Sequence, residues 1–79
     1  MRLEINTVAR GGDILDDEGQ LVGRLSIGKG LSECTSVDEW HALLEGSIRA
    51  AGFVCDELPE ASVPLTAENA VDRFAITLR

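Results

Sequence analysis

The chain has 79 residues, of which 44% are hydrophobic and 27% charged, a composition that predicts a single globular domain over residues 1–79. Its apolar stretches fall short of the ~18 residues that a membrane span needs, and its first residues lack the apolar core of a secretory signal, so we predict a cytoplasmic protein without membrane contact. Fourteen acidic and seven scattered basic residues give a net charge of -7, which disfavours binding to nucleic acid.

The first predicted elements are a strand and a hairpin. Leu3 and Ile5 alternate with polar residues, as in a strand with one buried face. Two further segments, 13–16 and 20–27, flank Asp17-Glu18-Gly19, where Gly19 can take the left-handed conformation that a short hairpin loop needs. We therefore expect an antiparallel hairpin with an acidic tip.

The two faces of this hairpin both carry apolar residues. In the predicted register Leu15 faces Leu21, and Leu25 shares their face, while Ile14 and Val22 point the other way. Either another part of the chain covers the second face, or the hairpin presents that face to a partner.

A loop and a helix follow. The small and polar segment 28–35 predicts a mobile loop. Ser36 and Glu39 form a capping box, which predicts a helix over about 37–51 with Gly52 just beyond its end. At helical spacing, one stripe of this helix is apolar and should face the sheet: Val37, Trp40, Leu44, Ile48 and Ala51.

The rest of the chain predicts a short strand at 53–55, a short helical segment from Thr66 to about Asp72, and a final strand at 74–78. The fold class is therefore α+β, a two-layer sandwich in which the main helix packs on a mixed sheet of four or five strands. This order of elements resembles the β-grasp arrangement of ubiquitin-like domains, and also small antitoxins of the HicB type. No motif is shared with either family, so neither resemblance implies a function.

The sequence favours a protein-protein interaction module over an enzyme. The acidic tip would attract a basic surface, and Leu43 lies off the apolar stripe of the helix, where it can be exposed. We expect the partner to be another protein or a second copy of the chain. The candidate binding residues are Ile14, Asp16, Asp17, Glu18, Val22, His41 and Leu43.

The alternative is a small enzyme or ligand-binding domain that uses Cys34 and His41. Cys34 precedes the helix, whose dipole favours a thiolate, and His41 is the nearest base. No third residue that would orient His41 can be identified, so we assign no catalytic residue. The Gly-rich run at 23–30 departs from a phosphate loop because Gly30 stands where Ser or Thr should follow the lysine. The acidic tip does not have the spacing of a calcium loop, so we predict neither a cofactor nor a metal.

Overall fold

The computed structural model describes residues 1–63, 65 and 72–79. Its elements, in chain order, are β1 (Arg2–Asn6), β2 (Gly11–Leu15), β3 (Leu21–Ser26), a 3-10 helix (Leu31–Glu33), α1 (Val37–Ala50) and β4 (Arg73–Thr77). The strands form one sheet in the order β3-β2-β1-β4, and α1 lies on one face of it. The predicted α+β class with one main helix is confirmed.

The strands are antiparallel at every described pairing, so the predicted mixed sheet is wrong. The β-grasp arrangement is a mixed sheet and is excluded for the same reason. Strand β4 runs antiparallel to β1, with Arg2 opposite Thr77 and Asn6 opposite Arg73. Strand direction depends on pairings between residues that are distant in sequence, and alternation of apolar residues carries no information about them.

Two elements were predicted between the main helix and the last strand, and the structure describes only the first of them in full. Within the described part of the chain, segment 53–55 forms no strand, but Val54 and Arg79 exchange two backbone hydrogen bonds of 2.8 Å at the outer side of β4. The predicted helical segment from Thr66 to Asp72 lies outside the described residues, apart from Asp72 itself.

Helix α1 begins where its capping residue predicts. The Ser36 hydroxyl accepts a hydrogen bond from the Glu39 amide at 3.1 Å. The Glu39 carboxylate accepts from the Thr35 amide at 3.0 Å rather than from Ser36, so only half of the predicted capping box forms as expected. The helix ends at Ala50, and Gly52 beyond it has φ +91°, the left-handed conformation expected there.

The core lies between α1 and one face of the sheet. Of the predicted helical stripe, Trp40, Leu44 and Ile48 are buried, Val37 is half-buried and Ala51 is exposed. These side chains pack against the core face of the sheet, to which β1 contributes Leu3 and Ile5 at its centre. The opposite face, called here the open face, carries mostly charged, polar and small residues, among them Arg2, Glu4, Asp13, Arg24, Arg73 and Ala75, together with Leu15 and Leu21 next to the hairpin turn. A polar second face is usual for an antiparallel sheet. No helix among the described residues has the length and apolarity to cross a membrane.

The segment predicted as a mobile loop is held in place at several points. Leu31 is buried in the core, and the Ser32 amide donates to the Thr7 carbonyl at 3.0 Å. The Arg10 guanidinium binds both carboxylate oxygens of Glu33, with a distance of 2.8 Å from Nε, and the Gly30 amide donates to the same carboxylate at 3.0 Å. Contacts made by residues far apart in sequence therefore hold a segment whose composition is that of a loop.

These contacts predict how Glu33 responds to acid. The Arg10 side chain, and then the Gly30 amide, lower the pKa of Glu33 from 4.5 to about 2. Because the pKa is depressed in the folded state, the stabilisation is present above pH 4.5 and is lost as the pH falls toward 2. We expect an NMR titration of the Glu33 carboxyl carbon to have its midpoint near 2. The Arg10→Gln variant should titrate at higher pH, and a wild-type midpoint near the ordinary value for glutamate would contradict the assignment.

Candidate functional site

The hairpin tip is built by the side chain of Asp16. Its Oδ1 accepts hydrogen bonds from the amides of Glu18 and Gln20, both at 2.9 Å, while its carbonyl accepts from the Gly19 amide at 3.0 Å. Gly19 has φ +80°, as predicted. Asp16 is therefore occupied in forming the turn, whereas Glu18 has an exposed side chain. The Asp17 carboxylate, also exposed, lies 3.1 Å from the amino group of Met1.

A β-bulge next to the tip changes which side chains face outward. Ile14 lies opposite Gly23 and Leu15 lies opposite Leu21, so β3 has one extra residue, Val22, between these pairs. Ile14 also lies opposite Leu3 and is only 6% exposed, so its predicted place on an outer face of the hairpin is wrong. One extra residue in a strand moves the residues that follow it to the other face.

At the bulge, two neighbouring apolar side chains are half exposed. Leu21 is 52% exposed and Val22 is 53% exposed. They lie on β3, which is the end strand of the sheet, and no described segment pairs with its outer side. Exposed aliphatic side chains on an unpaired strand form a surface suited to protein contact.

The backbone of β3 also has unpaired groups on that side. The amide of Ile27 donates to the Arg10 carbonyl near the start of β2 at 2.8 Å. Successive residues of a strand direct their backbone groups to opposite sides, so Leu25 points toward β2, whereas Arg24 and Ser26 point away from it. We call the surface formed by Leu21, Val22, Arg24 and Ser26 the β3 edge.

Charge changes sign along the β3 edge. Acidic Asp17 and Glu18 lie at the tip, and no further acid occurs before Glu33. Within this acid-free run, Arg24 has a side chain that is 78% exposed and lies 3.5 Å from Asp13, and Lys29 lies 3.0 Å from Glu39. The side chains of this surface are therefore acidic at the tip, apolar in the middle and basic at the far end, where each cation is also paired with a carboxylate of another element. The acid-free run is visible in the sequence and could have drawn attention to Leu21, Arg24 and Ser26, which the sequence analysis did not select.

The two candidate residues on α1 are already engaged within the chain. The His41 Nε2 atom lies 2.7 Å from the Pro59 carbonyl oxygen, and the His41 ring lies 5.8 Å from that of Trp40. Leu43 is half-buried and packs against the core. Neither residue is part of the β3 edge, and the binding roles predicted for them stay predictions.

Cys34 does not have the surroundings of a reactive thiol. Its Sγ donates to the Gly30 carbonyl at 3.4 Å. Burial, and then the nearby Glu39 carboxylate, raise the pKa of the Cys34 thiol, which lowers the fraction of nucleophilic thiolate. His41 directs Nε2 toward Pro59 instead. Cys34 and Cys55 are both free thiols, and no group of three or more metal-ligating side chains converges within the described ranges.

The open face contains a shallow depression on the central strands. It is lined by Glu4, Asn6, Gly11, Asp13, Arg73 and Ala75, among others. Glu4 lies opposite Asp13, an arrangement of like charges that would be unfavourable alone. Glu4 pairs with Arg2 at 2.8 Å and Asp13 with Arg24 at 3.5 Å. Since neighbouring arginines offset the two carboxylates, the depression is accounted for as a solvated sheet face.

Comparisons of the chain with protein-family models, curated proteins and solved structures find no significant match. The case for function therefore depends on the geometry of the chain itself, and the β3 edge is the strongest feature of that geometry.

Proposed function

We propose that this protein is a protein-binding module that takes up an extended segment of a partner along the β3 edge. The observation that carries the proposal is an unpaired end strand beside two half-exposed aliphatic side chains, Leu21 and Val22. The two free thiols are compatible with a reducing compartment, and we place the module in the cytoplasm.

The backbone supplies the first part of the binding energy. A strand that adds to the sheet would form hydrogen bonds with the outward amides and carbonyls of Arg24 and Ser26. Bonds of this kind align the partner along β3 whatever its sequence. Selectivity must then come from the side chains.

Leu21 and Val22 supply the apolar contact. A partner side chain that removes their exposed surface from water would gain roughly 25 cal/mol for each Å² of apolar area covered. The charges on either side set the direction of the partner segment. Its basic residues would lie near Glu18 and its acidic residues near Arg24, because opposite charges attract and like charges exclude the reverse orientation.

A photo-cross-linking residue tests this surface directly. We expect a benzophenone amino acid at position 22 to give one discrete protein adduct in cells that express the protein, because the edge is covered when the partner is bound. Val54 is the matched control, since it is 59% exposed and lies at the opposite edge of the sheet, where its backbone is already paired.

The adduct is then identified, and its partner is purified and tested against the wild-type chain and Leu21→Lys. Binding to wild type with clear loss in the variant is the expected result. Equal labelling from positions 22 and 54, or equal binding by the variant, would overturn the proposal.

A further inference from the structure

We infer that the partner of the β3 edge is a second copy of this chain, docked antiparallel about a two-fold axis so that the two sheets become continuous. This inference rests on the proposed function and specifies which protein binds the β3 edge. It is carried by the order of charges along the edge, acidic at the tip and basic at the far end.

A surface with opposite charges at its two ends is complementary to itself when the copies run antiparallel. The two-fold axis brings the acidic end of each copy to the basic end of the other, so Glu18 lies toward Lys29 of the second copy, and the same contact occurs twice. A parallel arrangement would place equal charges together. The antiparallel dimer thus places opposite charges in contact, although the net charge of -7 on each chain opposes association at long range.

The outward backbone positions restrict the register. Pairing Arg24 with Arg24 of the second copy would oppose two guanidinium groups. Pairing Arg24 with Ser26 of the second copy uses both outward residues of each strand and places the axis at Leu25. The bulge at Val22 limits regular pairing to the part of β3 beyond it.

One of the two aliphatic side chains is unobstructed in this arrangement. Counting outward from the axis, Val22 lies opposite Gly28 of the second copy and Leu21 lies opposite Lys29. Gly28 is exposed, and the position of its missing side chain has no atom within 4 Å, so nothing there obstructs Val22. The paired strands are short, and we expect a concentration-dependent dimer of the weak class rather than an obligate one.

Reversing the charges tests the inference. In sedimentation equilibrium from micromolar to millimolar protein, wild type should dimerise. Glu18→Lys and Lys29→Glu should each weaken the dimer by about tenfold, because each places like charges together twice. The double variant should return the dissociation constant to near the wild-type value, since the same contacts form with their signs exchanged. Slowed amide exchange at Arg24 and Ser26 should accompany dimer formation.

A control variant distinguishes the contact of Lys29 with the second copy from its ion pair within the same chain. Glu39→Gln removes the Lys29–Glu39 ion pair but keeps the positive charge of Lys29, so this variant should not weaken the dimer. A wild-type chain that stays monomeric throughout, or a double variant as weak as either single one, would overturn self-pairing. A monomeric chain whose position 22 still cross-links to a different protein would leave the proposed function standing. A monomeric chain whose position 22 cross-links to no protein would contradict both self-pairing and the proposed function.

Discussion

Replacing Trp40 with alanine should remove about 3–5 kcal/mol of stability, a large part of what a small domain has. Trp40 is fully buried at the centre of the core, with its ring 5.2 Å from that of Phe74 and tilted by 57°. Its removal deletes the largest buried side chain and leaves a cavity that neighbouring aliphatic residues fill only in part. Urea unfolding followed by far-UV circular dichroism measures the loss, because the variant contains no tryptophan to report by fluorescence.

The Trp40→Phe variant is the control for this prediction. No described residue accepts a hydrogen bond from the indole nitrogen of Trp40, which is buried. Phenylalanine keeps an aromatic ring in the core and removes this unpaired donor, whose burial is unfavourable. We therefore expect a much smaller loss than for alanine. Equal losses in the two variants would mean that the ring is not what stabilises this part of the core.

The Gly12→Ala variant should lose about 3 kcal/mol, near the upper end of the range for overpacking. Gly12 lies in β2, and a Cβ atom there would overlap the backbone carbonyl oxygen of Glu4 and stand 2.9 Å from a methyl group of Leu3. The carbonyl belongs to β1, one of the two central strands, so it cannot move without disturbing the pairing of β1 with β2. The unfolding midpoint in urea should fall with little change in slope.

The Gly46→Ala variant should change the stability in the opposite direction when it is measured in the same way. Gly46 lies on the exposed side of α1, with no atom within 4 Å of the position that a Cβ would take. Alanine favours the helix over glycine by about 0.8–1 kcal/mol, so this variant should be more stable than wild type. If both alanines lowered stability equally, close strand packing at Gly12 would not be the cause.

Local signals were sufficient to predict α1 and the hairpin turn. The cap at Ser36, the glycine at 52 and the apolar spacing of Trp40, Leu44 and Ile48 all act within a few residues, and the helix has nearly the predicted bounds. The turn depends on Asp16 and on the left-handed conformation of Gly19, which are equally local. Features set by neighbours in sequence can be identified without knowledge of the rest of the fold.

The main errors involve strand pairing and contacts between elements, which the pattern of a single segment does not contain. Nothing in the segment around Val22 indicates the bulge, because it arises from the pairing of β3 with β2. The bulge places Leu25 on the core face together with Ile14, whereas the predicted register placed them on opposite faces. The antiparallel direction of β4 and the contacts that hold the 28–35 segment have the same origin.

For the candidate site, the sequence predicted the acidic tip and Val22 as part of a contact surface. The rest of that surface depends on β3 being the end strand of the sheet, which only the topology shows. The acid-free run is a sequence signal for Leu21, Arg24 and Ser26, but it does not show that their strand lies at an edge.

The pairing of β1 with β4 has a consequence for how the protein folds. Arg2 lies opposite Thr77, so nearly the whole chain separates two strands that are neighbours in the sheet. Closing so long a loop is entropically costly, and we expect the hairpin and α1 to form first and β4 to dock last. Until then the nascent sheet has three strands, two open edges and an incompletely covered core face. Competition between docking of β4 and aggregation in that interval should determine how much of the protein folds.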